Sequence, residues 1–158
     1  MLSARNFRTD REELARWEEE GGTIARFGAE PKARQPHALV VDDDDDCREA
    51  IVATLEEAGY RALGVASGEQ ALDAIHDEPC LVLVDLRMPR MDGSELLSAM
   101  RAELGSRMPP VVFLTGALRS MIENISAPVL SKPVDVDRLL SVVAHHFSRA
   151  PAVRTVTR

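Results

Sequence analysis

The sequence predicts an α/β fold: a parallel sheet covered on both faces by helices, with an N-terminal helical extension ahead of it. Three observations carry that expectation. Short continuous apolar runs recur through residues 37–148, the pattern of strands buried on both faces. Segments with apolar residues at helical spacing alternate with them. The connections are short, and strand–helix alternation of this kind arranges the strands in parallel with helical crossovers.

The elements follow in order. Thr9 to Glu20 can form a helix, with Thr9 or Asp10 as N-cap and Gly21-Gly22 as its stop. Its apolar residues (Leu14, Ala15, Trp17) are too few to bury a core. It is either a frayed extension or a docking helix that uses Trp17. Gly28, Pro31 and Pro36 then mark a linker, so residues 1–36 form an extension to a domain over 37–148, with 149–158 as a tail. Within the domain, Ala38-Leu39-Val40-Val41 reads as the first strand, and Ile51, Val52, Leu55 and Ala58 form one face of a helix closed by Gly59. Arg61 to Val65 is a weaker strand. Ser67-Gly68-Glu69-Gln70 opens the next helix as a capping box, with Ala71, Leu72 and Ile75 behind it. Cys80 to Val84 is the third strand, and Leu96, Leu97, Met100 and Leu104 mark a helix stopped by Gly105. Val111 to Leu114 and Pro128 to Leu130 complete the strands. Val136, Leu139, Leu140, Val143 and Phe147 make the last helix.

Composition narrows the function. The 158 residues include 45% hydrophobic and 28% charged side chains, ordinary values for a globular chain. The apolar runs are far shorter than the about 20 residues of a spanning helix, and Met1 to Arg8 lacks the apolar core of a secretory signal. Cys47 and Cys80 stand apart, without metal-ligand spacing, and read as reduced thiols of a cytoplasmic protein. The net charge of −7 is uneven: residues 37–148 hold 9 basic and 19 acidic groups. An acidic domain argues against a nucleic-acid surface.

In parallel sheets of this kind, ligands bind beyond the carboxyl ends of the strands. There the sequence places Asp42-Asp43-Asp44, Asp85, Thr115 and Lys132. Clustered carboxylates repel and raise one another's pKa. A hard divalent cation relieves this, and Mg²⁺ favours one or two carboxylates with water and phosphate oxygens. The run Asp42–Asp46 also reads as a solvated loop that caps the next helix, which accounts for Asp44, Asp45 and Asp46. It does not explain why the run starts at the end of a buried strand. Asp85 interrupts an apolar run, and is either a helix cap or a nucleophile. Lys32 and Lys132 are the only lysines among 19 basic residues, so Lys132 is not a compositional default. A lysine is a compact point charge able to follow a phosphoryl group.

With these residues in place the sequence resembles the receiver domain of bacterial two-component response regulators. The matching blocks are Leu39-Val40-Val41-Asp42-Asp43-Asp44 with Arg48, and Leu83-Val84-Asp85-Leu86-Arg87-Met88-Pro89-Arg90-Met91-Asp92-Gly93. Pro109-Pro110-Val111-Val112-Phe113-Leu114-Thr115-Gly116 and Val129-Leu130-Ser131-Lys132-Pro133 complete them, and the resemblance covers residues 37–148. It implies a five-stranded doubly wound, flavodoxin-like sheet. It also implies a phosphoprotein that takes a phosphoryl group from a sensor histidine kinase or a histidine phosphotransfer protein. By position, Asp85 is the expected phosphoacceptor. Asp43 and Asp85 would ligate magnesium directly, Asp42 would act through water, and the Arg87 carbonyl would complete the protein ligands. Thr115 would hydrogen-bond the phosphoryl group and Lys132 would offset its charge. The Lys132–Pro133 bond is expected to be cis.

Two departures from the family pattern stand out. Val129 occupies the position of an aromatic switch residue, and only 17 positions separate Thr115 from Lys132. The helix between the fourth and fifth strands, confined to Leu118–Ile125, is therefore expected to be short or absent. Gly116 to Ala127 then becomes the segment expected to move on phosphorylation. No output domain is expected after Phe147. The implied function is that of a single-domain response regulator acting by phosphorelay or by docking to a downstream protein. It is no enzyme in the usual sense, beyond assisting its own phosphorylation and dephosphorylation. The alternative is a receiver-shaped interaction module that is not phosphorylated, against which the intact set Asp42, Asp43, Asp85, Thr115 and Lys132 speaks. A haloacid-dehalogenase-like phosphohydrolase would need an acid two positions after its nucleophile, where Arg87 stands.

Overall fold

A computed structural model describes residues 35–116 and 125–150. The helix expected over Thr9–Glu20 and the role of Trp17 lie outside the described residues. So do the expected helix at Leu118–Ile125, except for Ile125 itself, and the tail beyond residue 150. The elements are β1 (Ala38–Val41), α1 (Asp45–Glu57), β2 (Ala62–Val65), α2 (Gly68–Ala74), β3 (Leu81–Asp85), α3 (Gly93–Leu104), β4 (Val111–Thr115), β5 (Val129–Ser131) and α4 (Val136–Arg149).

All strand pairs are parallel, in the order β2-β1-β3-β4-β5. The chain winds outward from β1 to β2 and then crosses to β3 on the other side, so the switch point, where a crevice opens, lies between β1 and β3. Alternation sends successive side chains to opposite faces. Ala38, Val40, Leu81, Leu83, Val112, Leu114 and Leu130 pack with Ile51 and Leu55 of α1 and Leu139 and Val143 of α4. Leu39, Val41, Val82, Val84 and Phe113 pack with Ala71 of α2 and Leu96 and Met100 of α3. Both faces are covered, which is why the strands read as unbroken apolar runs. This is the doubly wound five-stranded sheet that the sequence predicts.

The helix starts follow side-chain chemistry. Asp44, Ser67, Asp92 and Asp135 each accept a backbone N–H from the first turn of α1, α2, α3 and α4. Asp92 and Glu95 make a reciprocal capping box. At α2 the expected box is incomplete: Ser67 accepts from the Gln70 N–H, but the Gln70 side chain takes the N–H of Ala66. Gly59 and Gly105 follow α1 and α3 with φ of 89° and 53°, left-handed values that suit a residue without Cβ. Two strands sit one position later than expected. β3 continues through Asp85, which pairs with Leu114. β5 begins at Val129, because Pro128 has no N–H to donate. Among the described residues, no helix is long and apolar enough to cross a membrane.

Burial ranks the leucines. Leu83 is fully buried whereas Leu63, on the edge strand β2, is 42% exposed. Leu83→Ala should therefore cost about 2–5 kcal/mol in denaturant unfolding, and Leu63→Ala about 0.5 kcal/mol or less.

Candidate functional site

The site forms where β1, β3 and β5 end. Asp42, Asp85 and Lys132 continue the alternation of Val40, Leu83 and Leu130, so all three emerge on the face covered by α1 and α4. Thr115 has the parity of Phe113, at the end of β4 beside the other face. The side chains thus flank the sheet edge from two directions.

Asp42 is fully buried. Its N–H extends the β1–β2 ladder to the Val65 carbonyl at 3.2 Å, and its Oδ1 accepts the N–H of Asp44 at 3.0 Å. Arg48 donates to the Asp42 carbonyl at 2.8 Å and also holds the Asp45 carboxylate. Asp44 is engaged as the cap of α1 through the Cys47 N–H. Asp43 remains as the exposed carboxylate at the mouth of the crevice.

Asp85 is 8% exposed. Its Oδ1 accepts the Arg87 N–H at 3.1 Å, and its Oδ2 accepts from the Lys132 ammonium at 3.2 Å. Lys132 also donates to Asp42 Oδ2 at 2.7 Å, and its backbone N–H is tied to the Thr115 carbonyl at 2.8 Å. The Lys132–Pro133 bond is cis, as the resemblance implies. Thr115 is almost fully buried. Val129, at the position where an aromatic side chain was missing from the sequence pattern, is half-buried against the α2–α3 core.

Burial pushes the Asp85 carboxyl above its ordinary range, and the charge of Asp42 adds to this. The Arg87 N–H and Lys132 oppose the shift without cancelling it. Burial alone would lower the Lys132 ammonium, but the carboxylates of Asp42 and Asp85 outweigh it and hold Lys132 above its usual range. The lysine therefore stays charged at neutral pH and faces two carboxylates with one positive charge.

Ligand oxygens of Asp42, Asp43 and Asp85 all lie within 4.8 Å of one another. A donor set made only of carboxylate oxygen suits a hard cation such as Mg²⁺. The fit rests on that chemistry and on the excess of negative charge that Lys132 alone leaves. The structure thus gathers Asp42, Asp43, Asp85 and Lys132, with Thr115 at the adjoining strand end, and places Arg87 against Asp85. Sequence reasoning assigned no role to Cys47 and none beyond the motif to Arg48. Burial, followed by the influence of Asp42, raises the pKa of the Cys47 thiol. Helical spacing from Asp45 was the available signal for Arg48. For Cys47 there was none.

Comparison with known proteins agrees with this architecture. The family described as response regulator receiver domain matches residues 38–144. The chain is 35% identical over 121 residues to response regulator Rre1 of Synechocystis, covering 72% of this chain and 52% of that protein. It is 36% identical to the sensory/regulatory protein RpfC of Xanthomonas campestris over 72% of this chain but only 17% of that one. The chain therefore spans about half or less of the length of these relatives. Among solved structures, the chemotaxis protein CheY4 of Vibrio cholerae superposes with a TM-score of 0.62 at 26% identity, over 70% of this chain and 98% of that one. Fold, ordered motifs and family match coincide: the chain belongs to the response regulator receiver domain family.

Proposed function

We propose that this chain is a response regulator that accepts a phosphoryl group on Asp85 from a histidine kinase or histidine phosphotransfer protein. It then signals by phosphorelay or by docking to a downstream protein. The observation that carries this reading is the pairing of Asp85 with Lys132 at strand ends that also bring Asp42 and Asp43 together. Receiver domains bind Mg²⁺ at such an acidic pocket. Here Asp43, Asp85 and the Arg87 carbonyl would hold the ion, with Asp42 acting through water. When bound, Mg²⁺ supplies positive charge to the oxygens of the transferring group.

The chain's own residues supply the rest. An Asp85 carboxylate oxygen forms the bond to phosphorus as the donor's P–N bond breaks, and the pair of electrons leaves with the donor imidazole. Phosphoryl transfer depends chiefly on in-line positioning and on neutralising the three equatorial oxygens. Lys132 stands at Asp85 Oδ2 with its charge intact. Thr115 offers a hydroxyl from the end of β4. Arg87 fixes the Asp85 carboxylate through its backbone N–H.

Three outcomes are expected. Incubation with Mg²⁺ and acetyl phosphate should add the mass of one phosphoryl group to the wild-type chain and none to Asp85→Asn, read by intact-mass spectrometry. Unchanged labelling of the variant would favour another acceptor, and no labelling of either chain would favour the interaction module.

The aspartate run should divide its roles. Asp43→Ala should weaken Mg²⁺ binding at least tenfold by calorimetry while leaving the metal-free stability equal or higher. Asp44→Ala should do the reverse, costing about 1 kcal/mol of stability through the lost cap with little change in Mg²⁺ affinity.

The third outcome is a pH dependence in metal-free protein. The folded-state pKa of Asp85 is raised, so the fold binds its proton more readily than the unfolded chain does. Its contribution to stability is greatest at low pH and is lost as pH rises through the folded pKa. Asp85→Asn should therefore melt higher than wild type at pH 7. The difference should shrink as pH falls toward the ordinary carboxylate range.

A further inference from the structure

Two loops frame the site: residues 42–44 after β1, which carry Asp42 and Asp43, and residues 86–92 after β3, which follow Asp85 and carry Arg87. Each is held by one side chain that reaches across to the same stretch of chain. Arg48 grips the first loop through the Asp42 carbonyl and the Asp45 carboxylate. Its aliphatic stem lies over Gly64 of β2, where an added Cβ would come within 3.0 Å of Cγ and 3.1 Å of Cδ. Met91 belongs to the second loop and is folded against Gly68, the buried first residue of α2. A Cβ at Gly68 would come within 2.6 Å of the Met91 Sδ and 2.9 Å of its Cγ.

The two seats are unequal. At Gly64 the neighbouring stem can give by a few tenths of an ångström. At Gly68 the approach is closer than van der Waals contact allows, and it extends down to the Met91 Cβ at 3.1 Å. Rotating the thioether away clears Sδ and Cγ, but the Met91 Cβ at 3.1 Å must still give by a few tenths of an ångström, which presses on the backbone of residue 91. That backbone is constrained: Met91 N–H donates to the Pro89 carbonyl at 2.8 Å, and Arg90 holds a left-handed φ of 67°. At its far end the loop is pinned where Gly93 donates to the Leu86 carbonyl at 3.0 Å. A push at Met91 is therefore passed along the loop toward Arg87 and Asp85.

We propose that the segment Gly64 to Gly68, which lends no carboxylate to the site, is a positioning platform for it. Its two side-chain-free positions seat Arg48 and Met91, and thereby set the loop that carries Asp42 and Asp43 and the loop that follows Asp85. Gly68 is the stricter seat and acts on the loop that presents Asp85 and Arg87. The inference rests on the Mg²⁺ and phosphoacceptor assignment given above, and it acts through the geometry of the ligands and not through contact with them.

The test uses the 158-residue chain. Gly68→Ala should weaken Mg²⁺ binding about tenfold by calorimetry, and Gly64→Ala should weaken it less. Met91→Ala removes Sδ and Cγ, the two atoms that the new Cβ meets inside 3.0 Å, and leaves only the Cβ at 3.1 Å, so Gly68→Ala combined with Met91→Ala should bind Mg²⁺ more tightly than Gly68→Ala alone. Amide hydrogen exchange on metal-free protein reads the seat without the ion. Residues 86–92 should exchange faster in Gly68→Ala, with α4 unchanged. A lowered melting temperature with unaltered Mg²⁺ affinity and unaltered exchange at 86–92 would mean that Gly68 serves folding alone, and would overturn the proposal. Losses that simply multiply in the double variant would overturn it as well. Should the wild type bind no Mg²⁺, the functional assignment fails, while the exchange comparison still decides whether the platform exists.

Discussion

The ammonium of Lys132 stands between two carboxylates that burial has largely removed from water, and the arrangement of the site follows from this. Asp42 is fully buried and Asp85 nearly so. Two like charges in such surroundings are costly unless a counter-charge with good geometry accompanies them. Lys132 supplies it at 2.7 and 3.2 Å. It does not supply enough, since Asp43 adds a third carboxylate to the same crevice. That leftover negative charge is what makes the strand ends receptive to a divalent cation, while burial first, and the Asp42 charge after it, raises the pKa of Asp85.

The sheet makes this convergence possible. Three parallel strands end at one edge, and strand alternation sends their last side chains to one face. The buried rows Val40, Leu83 and Leu130 lead directly to Asp42, Asp85 and Lys132. The charges therefore sit on top of a packed apolar layer that fixes their spacing. The strand order places β1 next to β3, so the two acidic strand ends are neighbours and the lysine reaches them from β5 across the end of β4. Its backbone N–H bond to Thr115 fixes where that reach begins.

Five consecutive aspartates look alike in a sequence, but the first four do different work here. Asp42 holds Lys132, Asp43 faces the crevice, Asp44 caps α1 and Asp45 pairs with Arg48. The last two assignments confine the acidic cluster to the first two positions. A negative side chain at a helix N-terminus is favourable in its own right, so the cap and the site coexist without competing for the same carboxylate.

Much of this was determined by the sequence alone. The five strands, the flanking helices and the strand-end positions of Asp42, Asp43, Asp85, Thr115 and Lys132 follow from short continuous apolar runs and from apolar spacings of three to four residues, together with capping and stop signals. Those patterns are local, since each is set by neighbours within a turn or a pleat. The tertiary structure decided what depends on distance across the chain. It decided that Lys132 binds Asp42 more closely than Asp85, a contact between residues 90 positions apart. It also decided that burial and Asp42 act on the Cys47 thiol, that Gln70 reaches Ala66 instead of Ser67, and that Gly64 and Gly68 are seats for Arg48 and Met91. A glycine in a sequence shows only that a side chain is missing. Which neighbour fills the space is settled by packing, because close-packed interiors leave no gap unoccupied and the occupant can come from any segment that the fold brings near.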